Sequence, residues 1–384
     1  MPDPAWSRRL PWEHPTNRLT RALEERKARG LPILDLTETN PTRVGIPYPE
    51  EELAEILRRS ADPVYEPHPR GMLSAREALA ASLSCSPDDL VLTASTSESY
   101  SFLFKLFGDP GDEVLTTAPS YPLLDSLAAL EGLSLSHVHL APGRRFALNI
   151  ERVELSITPR TKLLALIHPG NPTGAFLSAS EQAAICDLCA ARGLPVISDE
   201  VFADYPLDDS PRGGPTAGAS GEALSFSLGG LSKSAGLPSW KLGWIRVGGP
   251  AALRRKAVAA LEMVADSYLS VGTPVQRALP GILEMAPRIR SAILNRVRGN
   301  LENLRHLPGL LEPAGGWSAV LRFSLPQPDE ELVLEILERA GVLVHPGYFF
   351  DFETDDFLVV SLLPEPERFA AGIRGLSFLP TART

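Results

Sequence analysis

From about Val91 to Val247, short runs of β-type residues alternate with stretches of helical periodicity, and this alternation constrains the fold more than any other feature. The β-type runs are LVLTAS, EVLTTAP, KLLALIHPG, LPVISDE, ALSFSLGG and GWIRVGG. Between them lie patterns such as SESYSFLFKLF and SASEQAAICDLCAARG, in which apolar residues recur at helical spacing. Strands separated by helices predict an α/β fold with a mostly parallel sheet between helices.

The two ends of the chain carry a different pattern. With 384 residues the chain exceeds the size at which one hydrophobic core usually stops growing, so a second domain is expected. The C-terminal part contains a long helical pattern, RIRSAILNRVRGNLENLRHL, and later a second one, DEELVLEILERAG, with strand-like runs around it. We therefore expect a large domain over residues 46–280 and a smaller α+β domain formed by residues 1–45 and 281–384.

Composition excludes several classes of protein. The net charge of -10 argues against a nucleic-acid partner, because phosphate binding needs a basic face. No apolar run reaches the roughly 18 residues of a membrane helix, and the first residues lack the apolar core of a signal peptide, so we expect a cytoplasmic protein. Cys85, Cys186 and Cys189 are too few for a disulfide framework. The C-x-x-C pair lies in a helical pattern, which predicts buried thiols, and we expect no metal site.

Polar residues stand where the predicted strands end. In an open parallel sheet, ligands bind beyond the carboxyl ends of the strands. Ser95, Thr96 and Ser97 follow the first run and open a helix, an arrangement typical of a phosphate site and equally of an ordinary helix cap. Asn171 stands in the turn sequence HPGNPTG after the third run, and Asp199 ends the fourth.

Lys233 is the most informative of these residues. The chain has only six lysines among its 37 basic residues, and Lys233 lies in the Gly/Ser-rich stretch SLGGLSKSAG directly after an apolar strand. A lysine held in a partly apolar site loses its charge easily and can attack a carbonyl group to form a Schiff base. The four segments thus supply a phosphate site, an amide, a carboxylate and a nucleophilic amine, which is what pyridoxal phosphate requires.

On these motifs the chain resembles the class I/II aminotransferases of the fold-type I pyridoxal-phosphate superfamily, over nearly its whole length. The resemblance implies that Lys233 carries the cofactor as a Schiff base and also moves protons during catalysis. Asp199 would pair with the ring nitrogen and stay ionised, Asn171 would bond the ring hydroxyl and a substrate carboxylate oxygen, and Tyr121 would stack on the ring. The remaining implied phosphate contacts are Ser95, Thr96, Ser97, Ser232 and Lys241. Tyr65 would reach the phosphate of a neighbouring subunit, which implies a homodimer with shared active sites.

The chain departs from the family pattern at four positions. Lys241 stands where an arginine is usual, and Gly230 stands where a serine is usual. Phe202 replaces a tyrosine that donates to the ring hydroxyl, so we expect a raised pKa for the Schiff-base nitrogen. Val359 replaces the arginine that grips the substrate carboxylate.

Other residues could hold the substrate in place of that arginine. Arg43, Arg70 and Arg322 are the candidates by position, although each could equally be a plain surface arginine. Thr39 and Asn171 are the other predicted substrate contacts.

The resemblance implies an enzyme that moves an amino group between an amino acid, or another primary amine, and a 2-oxo acid. A lyase that eliminates a β-substituent, including C–S lyases, or a decarboxylase on the same fold is the alternative. A pyridoxal-phosphate-sensing regulator is a third possibility, which we disfavour because we expect no DNA-binding domain in the short N-terminal segment.

Overall fold

The computed structural model describes residues 5–12, 16–307, 309–323 and 327–379. Its α-helices are α1 (Arg18–Ala28), α2 (Glu50–Ser60), α3 (Leu73–Leu83), α4 (Thr96–Phe107), α5 (Leu123–Leu130), α6 (Ile150–Ser156), α7 (Ala179–Arg192), α8 (Thr216–Ala219), α9 (Leu231–Ser234), α10 (Ala251–Asp266), α11 (Thr273–Leu304), α12 (Asp329–Ala340) and α13 (Pro366–Gly375). Short 3-10 helices span Pro41–Arg43, Pro87–Asp89, Pro142–Arg144, Pro238–Trp240 and Gly347–Phe350.

The β-strands are β1 (Leu34–Asp35), β2 (Leu90–Thr93), β3 (Glu113–Ala118), β4 (Ser134–His139), β5 (Thr161–Ile167), β6 (Val196–Asp199), β7 (Ser225–Gly230), β8 (Gly243–Gly248), β9 (Leu310–Leu311), β10 (Ser318–Arg322), β11 (Val342–Leu343), β12 (His345–Pro346) and β13 (Phe357–Ser361). Each of the six β-type runs of the central region contains one strand of the largest sheet.

That sheet has seven strands in the order β2-β8-β7-β6-β5-β3-β4. Its neighbours pair in parallel except at β8, which is antiparallel to both β2 and β7. The predicted α/β fold with a mostly parallel sheet is therefore confirmed. The edge strand β4 was not predicted, because its sequence SLSHVH is polar and most of its residues are only partly buried.

Helices cover both faces of this sheet. On one face, Phe102 and Leu103 of α4 and Leu261 of α10 pack with Val114 of β3 in one buried cluster. On the other face, a second cluster joins helices α6 and α7 to the neighbouring residue Leu115. Adjacent residues of β3 thus enter opposite clusters, as strand geometry requires. A strand buried on both faces is apolar without alternation, which explains why these runs read as continuous apolar segments.

The fold brings the polar strand ends to one edge of the sheet. Strands β2, β5, β6 and β7 run in the same direction, so the residues after them meet at their carboxyl ends. These residues are Ser95, Asn171, Asp199 and Lys233. The predicted meeting of the four segments is therefore a consequence of the strand order.

The N- and C-terminal segments form a smaller α+β part, as predicted. Strand β1 near the N-terminus pairs in parallel with β11, and β12, β13, β10 and β9 form an antiparallel sheet. Helix α11 runs unbroken through the position where we predicted the domain boundary at residues 280 and 281. The exact bounds stay a prediction, and parts of the two terminal segments lie outside the described residues.

Cys186 and Cys189 are buried in α7 with free thiols, which confirms the prediction of structural cysteines. Among the described residues, no helix is both long and apolar enough to cross a membrane.

Candidate active site

A cavity of about 340 Å³ lies at the carboxyl edge of the large sheet. It collects most of the residues that the sequence singled out. The predicted residues that line it are Thr39, Ser95, Thr96, Ser97, Tyr121, Asn171, Asp199, Ser232, Lys233 and Lys241. Phe202 and Gly230, two of the positions that depart from the family pattern, line it as well.

The N-terminus of α4 forms one end of the cavity. Ser95 is the cap residue, and its side-chain oxygen accepts a hydrogen bond from the N–H of Glu98 at 3.2 Å. The N–H groups of Thr96 and Ser97, at the first helical positions, have no acceptor within the helix. Together with the helix dipole and the ammonium group of Lys241, they make this end suited to an anion.

Asp199 is a buried carboxylate on the floor of the cavity. Its Oδ1 atom accepts a hydrogen bond from the N–H of Val201 at 3.2 Å, and its Oδ2 atom accepts one from the hydroxyl of Tyr100 at 3.1 Å. Burial raises the pKa of Asp199 to about 6, while these two donors and the ammonium of Lys233 act in the opposite direction. A carboxylate in this setting is suited to a cationic partner such as a pyridinium N–H.

Lys233 projects its amine into an aromatic setting. The Nζ atom lies 5.6 Å from the ring centre of Phe202 and 5.2 Å from that of Trp317. Burial lowers the pKa of Lys233, and the nearby Asp199 partly offsets this effect. The hydroxyl of Tyr205 donates to the backbone carbonyl oxygen of Lys233 at 2.6 Å, which fixes the main chain at this residue. An amine with a lowered pKa is more often uncharged and therefore nucleophilic.

The loop that carries Asn171 is fixed by backbone hydrogen bonds. The N–H of Gly174 donates to the carbonyl oxygen of Gly170 at 2.7 Å. The N–H of His168 donates to the carbonyl oxygen of Asp199 at 2.8 Å, and His168 Nδ1 accepts from the N–H of Leu177 at 2.8 Å. Burial lowers the pKa of His168 to about 4, so its imidazole is neutral near pH 7. The loop is thereby tied to β6 with Asn171 at the cavity wall.

The candidate substrate arginines do not line the cavity. Arg43 is exposed at the end of the 3-10 helix Pro41–Arg43. Arg70 forms an ion pair with Glu262 at 3.2 Å, and Arg322 forms one with Asp356 at 2.7 Å. All three are therefore apart from the residues that face Lys233 in this protomer.

Val359 is only 1% exposed and belongs to an apolar cluster with Phe146, Val320, Phe350 and Phe357. At the position where relatives are expected to have an arginine, Val359 thus packs against phenylalanine rings. Tyr65 is also absent from the cavity lining. Its side chain lies on the surface and is 65% exposed.

With the geometry known, the chain can be compared with characterised proteins. The model of the family described as aminotransferase class I and II matches residues 45–367. The chain belongs to this family. It is therefore a transaminase, as the resemblance implied.

Individual relatives are similar over almost their full length. An alanine aminotransferase of Mycobacterium tuberculosis is 29% identical over 379 residues, which cover 93% of this chain and 88% of that protein. A glutamate-pyruvate aminotransferase of Haemophilus influenzae is 26% identical over 382 residues, covering 94% and 93%. The solved structure of an alanine aminotransferase from Pyrococcus furiosus has a TM-score of 0.85 at 23% identity, covering 97% and 98%, and thus shares the fold.

Trp317, Ser318 and Tyr100 are residues of this transaminase site that sequence reasoning missed. Ser318 begins β10 and Trp317 directly precedes it, and both line the cavity, whereas Tyr100 lies behind Asp199. No sequence pattern indicated that the start of β10 would lie against Lys233. Tyr100 fits the apolar pattern of α4, so its hydroxyl carried no separate signal.

Enzymes of this family depend on pyridoxal phosphate, and the side chains of the cavity fit it. An anion site at the α4 N-terminus, a buried carboxylate and an amine with a lowered pKa line one cavity. These are the groups needed for a phosphate, a protonated ring nitrogen and an aldehyde.

Proposed function

We propose that this transaminase holds pyridoxal phosphate on Lys233 and moves an amino group between an amino acid and a 2-oxo acid. The observation that supports this most directly is that one cavity joins the amine of Lys233, the carboxylate of Asp199 and the N-terminus of α4. Each group alone has an ordinary structural explanation. Their convergence from three separate strand ends does not.

Bound pyridoxal phosphate supplies an electron sink for the pair of electrons released at the substrate Cα atom. The chain's own residues do the rest. Asp199 holds the proton on the ring nitrogen, and the amide of Asn171 bonds the ring hydroxyl. Tyr121 stacks on the ring. The amine of Lys233 would move the proton between the substrate Cα atom and the cofactor C4′ atom, as general base and then acid.

The phosphate would lie at the N-terminus of α4. The N–H groups and hydroxyls of Ser95, Thr96 and Ser97, together with Ser232, are the proposed donors. Lys241 adds a point charge, which neutralises a phosphate but lacks the two parallel hydrogen bonds of a guanidinium group.

Thr39 and Asn171 are the predicted substrate contacts that line the cavity. The roles predicted for Arg43 and Arg70 stay predictions, since neither lines the cavity of its own protomer. The names of the two relatives make alanine, glutamate and their 2-oxo acids the first substrates to test.

The decisive experiment is a half-reaction without acceptor. Purified yellow holoenzyme is mixed with alanine, glutamate and a panel of other amino acids and amines, and its visible absorbance is followed. Stoichiometric loss of the visible band with one equivalent of 2-oxo product supports the proposal. Release of ammonia and pyruvate without that stoichiometry indicates the lyase alternative, which the two relatives do not favour. Release of carbon dioxide indicates decarboxylation.

Phe202→Tyr should lower the pKa of the Schiff-base nitrogen. Phe202 lines the cavity beside Lys233, and a hydroxyl added there can donate to the oxygen on the cofactor ring. A hydrogen bond to a charged oxygen contributes about 1.5–3 kcal/mol, so a shift of roughly one to two pH units is expected. A titration of the visible band from pH 5 to 10 measures it. Phe202→Leu is the control without a donor, and an unchanged pKa in the tyrosine variant contradicts the assignment.

We also propose a homodimer in which Tyr65 of each protomer reaches the phosphate in the other. Tyr65 is exposed and does not line its own cavity. Val64 is adjacent to Tyr65 in sequence and Leu269 lines the same surface pocket as Tyr65. Both are exposed large apolar residues, a pattern typical of a protein interface. Small-angle scattering or sedimentation of the holoenzyme tests the dimer directly.

Tyr65→Phe should weaken cofactor affinity about 10-fold or more, because it removes one hydrogen bond to a charged group. Tyr268→Phe is the matched control and should leave affinity unchanged. A heterodimer of Tyr65→Phe and Lys233→Ala protomers should regain one site of wild-type affinity, since one site then combines an intact Lys233 with the partner's intact tyrosine. Failure to regain it argues against shared sites.

We further propose that the large domain, residues 46–280, carries the cofactor and that residues 1–45 and 281–384 form the smaller domain. The protein acts in the cytoplasm, in keeping with three free thiols.

A further inference from the structure

Tyr100 stands out among the buried polar residues that the proposed mechanism does not use. It lies in the second turn of α4 and is 1% exposed. Its ring packs 5.7 Å from that of Phe104, within the apolar cluster beneath the sheet. Its hydroxyl donates to Asp199 Oδ2 at 3.1 Å, across 99 residues of sequence. Tyr100 does not line the cavity, so it reaches the site only through Asp199.

We propose that Tyr100 is a positioning residue that fixes the Asp199 carboxylate and keeps the shared proton on the cofactor's ring nitrogen. The inference rests on the proposed function, since it assumes that Asp199 faces that nitrogen. Although Tyr100 lies outside the cavity, it would thus affect, through Asp199, how strongly the cofactor ring withdraws electrons.

The physical argument starts from burial. A carboxylate removed from water is a stronger base, because its charged form is no longer solvated. Two donors oppose this at Asp199, the N–H of Val201 and the hydroxyl of Tyr100. Each stabilises the ionised form and so weakens the pull of the carboxylate on a proton. With both in place, the proton of the pair stays on nitrogen. Without Tyr100, it moves towards oxygen.

Tyr100 is suited to remain a donor at all working pH values. Burial and the neighbouring charge of Asp199 raise its own pKa well above the ordinary value for tyrosine. Its packing against Phe104 and the sheet leaves its hydroxyl directed at Asp199. Among the described residues, no second acceptor for this hydroxyl is found within hydrogen-bond distance.

The test uses holoenzyme loaded with pyridoxal phosphate labelled with ¹⁵N in the ring. The ¹⁵N chemical shift distinguishes a protonated from an unprotonated ring nitrogen. Wild type should give a pyridinium shift, and Tyr100→Phe should move the shift towards that of neutral pyridine. Tyr48→Phe is the matched control, because it also removes the hydroxyl of a tyrosine, but one that bonds the backbone carbonyl of Gly236, and neither residue lines the cavity. Its shift should equal that of wild type.

A second readout follows cofactor release as the pH falls. Pairing requires ionised Asp199, so affinity is lost as the pH falls through the pKa of that group, about 6 when the cofactor is absent. Loss of one donor to the anion raises this pKa further. The midpoint of release in Tyr100→Phe should therefore lie about one to two pH units above that of wild type.

Tyr100→3-fluorotyrosine keeps the ring and makes its hydroxyl a stronger donor, so it covers the case in which the phenylalanine variant does not fold. It should lower the midpoint of release. If neither variant changes the ¹⁵N shift or the midpoint, Tyr100 only fills space and the inference is wrong. Wild type that forms no yellow, borohydride-reducible adduct instead refutes the proposed function itself.

Discussion

Lys233→Ala is expected to abolish transamination and every borohydride-reducible adduct between the chain and pyridoxal phosphate. The substitution removes both the amine that binds the aldehyde and the group that moves the proton. General acid–base catalysis alone contributes about 10²- to 10⁴-fold, so the rate should fall by at least about 10⁴-fold once the covalent step is also lost. Single-turnover kinetics with alanine and peptide mass spectrometry after borohydride reduction measure the two effects.

The loss of activity in Lys233→Ala should not result from a less stable fold. The Nζ atom of Lys233 makes no hydrogen bond to the residues that the structure describes, and an amine partly removed from water without a partner destabilises the fold. The apoenzyme of Lys233→Ala should therefore unfold at the same temperature as wild type or slightly above it. Lys241→Ala is the comparison lysine. It should keep the adduct and lose only cofactor affinity. An adduct at another lysine in Lys233→Ala would overturn the central assignment.

Asp199→Asn should have the second largest effect. Asparagine keeps the size of the side chain but cannot hold the ring nitrogen in its protonated form. Removing one partner of a buried ion pair costs about 3–5 kcal/mol, which corresponds to a rate reduction of roughly 10²- to 10⁴-fold. The half-reaction rate should fall by this factor, and the cofactor should dissociate faster. The adduct on Lys233 should still form, because the amine is unchanged.

Glu200→Gln separates this effect from the general loss of a buried carboxylate. Glu200 is the neighbouring residue, and its carboxylate accepts hydrogen bonds from the N–H of Thr216 and the hydroxyl of Ser227. It does not line the cavity. Its replacement should lower the unfolding temperature without changing the spectrum of the bound cofactor. Equal losses of rate in the two variants would argue that Asp199 has only a structural role.

The sequence predicted the large sheet well because its strands are buried on both faces. A continuous apolar run such as KLLALI is compatible with few structures other than a buried strand, and each of these runs contains a strand. The edge strand β4 was not predicted, because an edge strand is partly solvated and can therefore have a polar sequence such as SLSHVH. The long helix α11 was recognised from its periodicity. Its start at Thr273, ahead of two internal prolines, was not.

The candidate site could be predicted only in part. Asp199 ends β6, and Asn171 and Lys233 lie a few residues after β5 and β7, so the shared direction of these parallel strands brings the three together. The arginines predicted to substitute for the one missing at Val359 were chosen by sequence position, and the structure pairs Arg70 and Arg322 with Glu262 and Asp356 instead.

The residues of this chain by themselves determined the order of strands and helices, the polar strand ends and the identity of the buried amine at Lys233. These features depend on local periodicity and on the uniform direction of parallel strands. Only the tertiary structure decided that Tyr100 donates to Asp199, that Trp317 lies beside Lys233 and that Val359 is sealed among phenylalanine rings. Such contacts join distant segments, and a side chain finds its partner only when the packing of both segments fixes its direction.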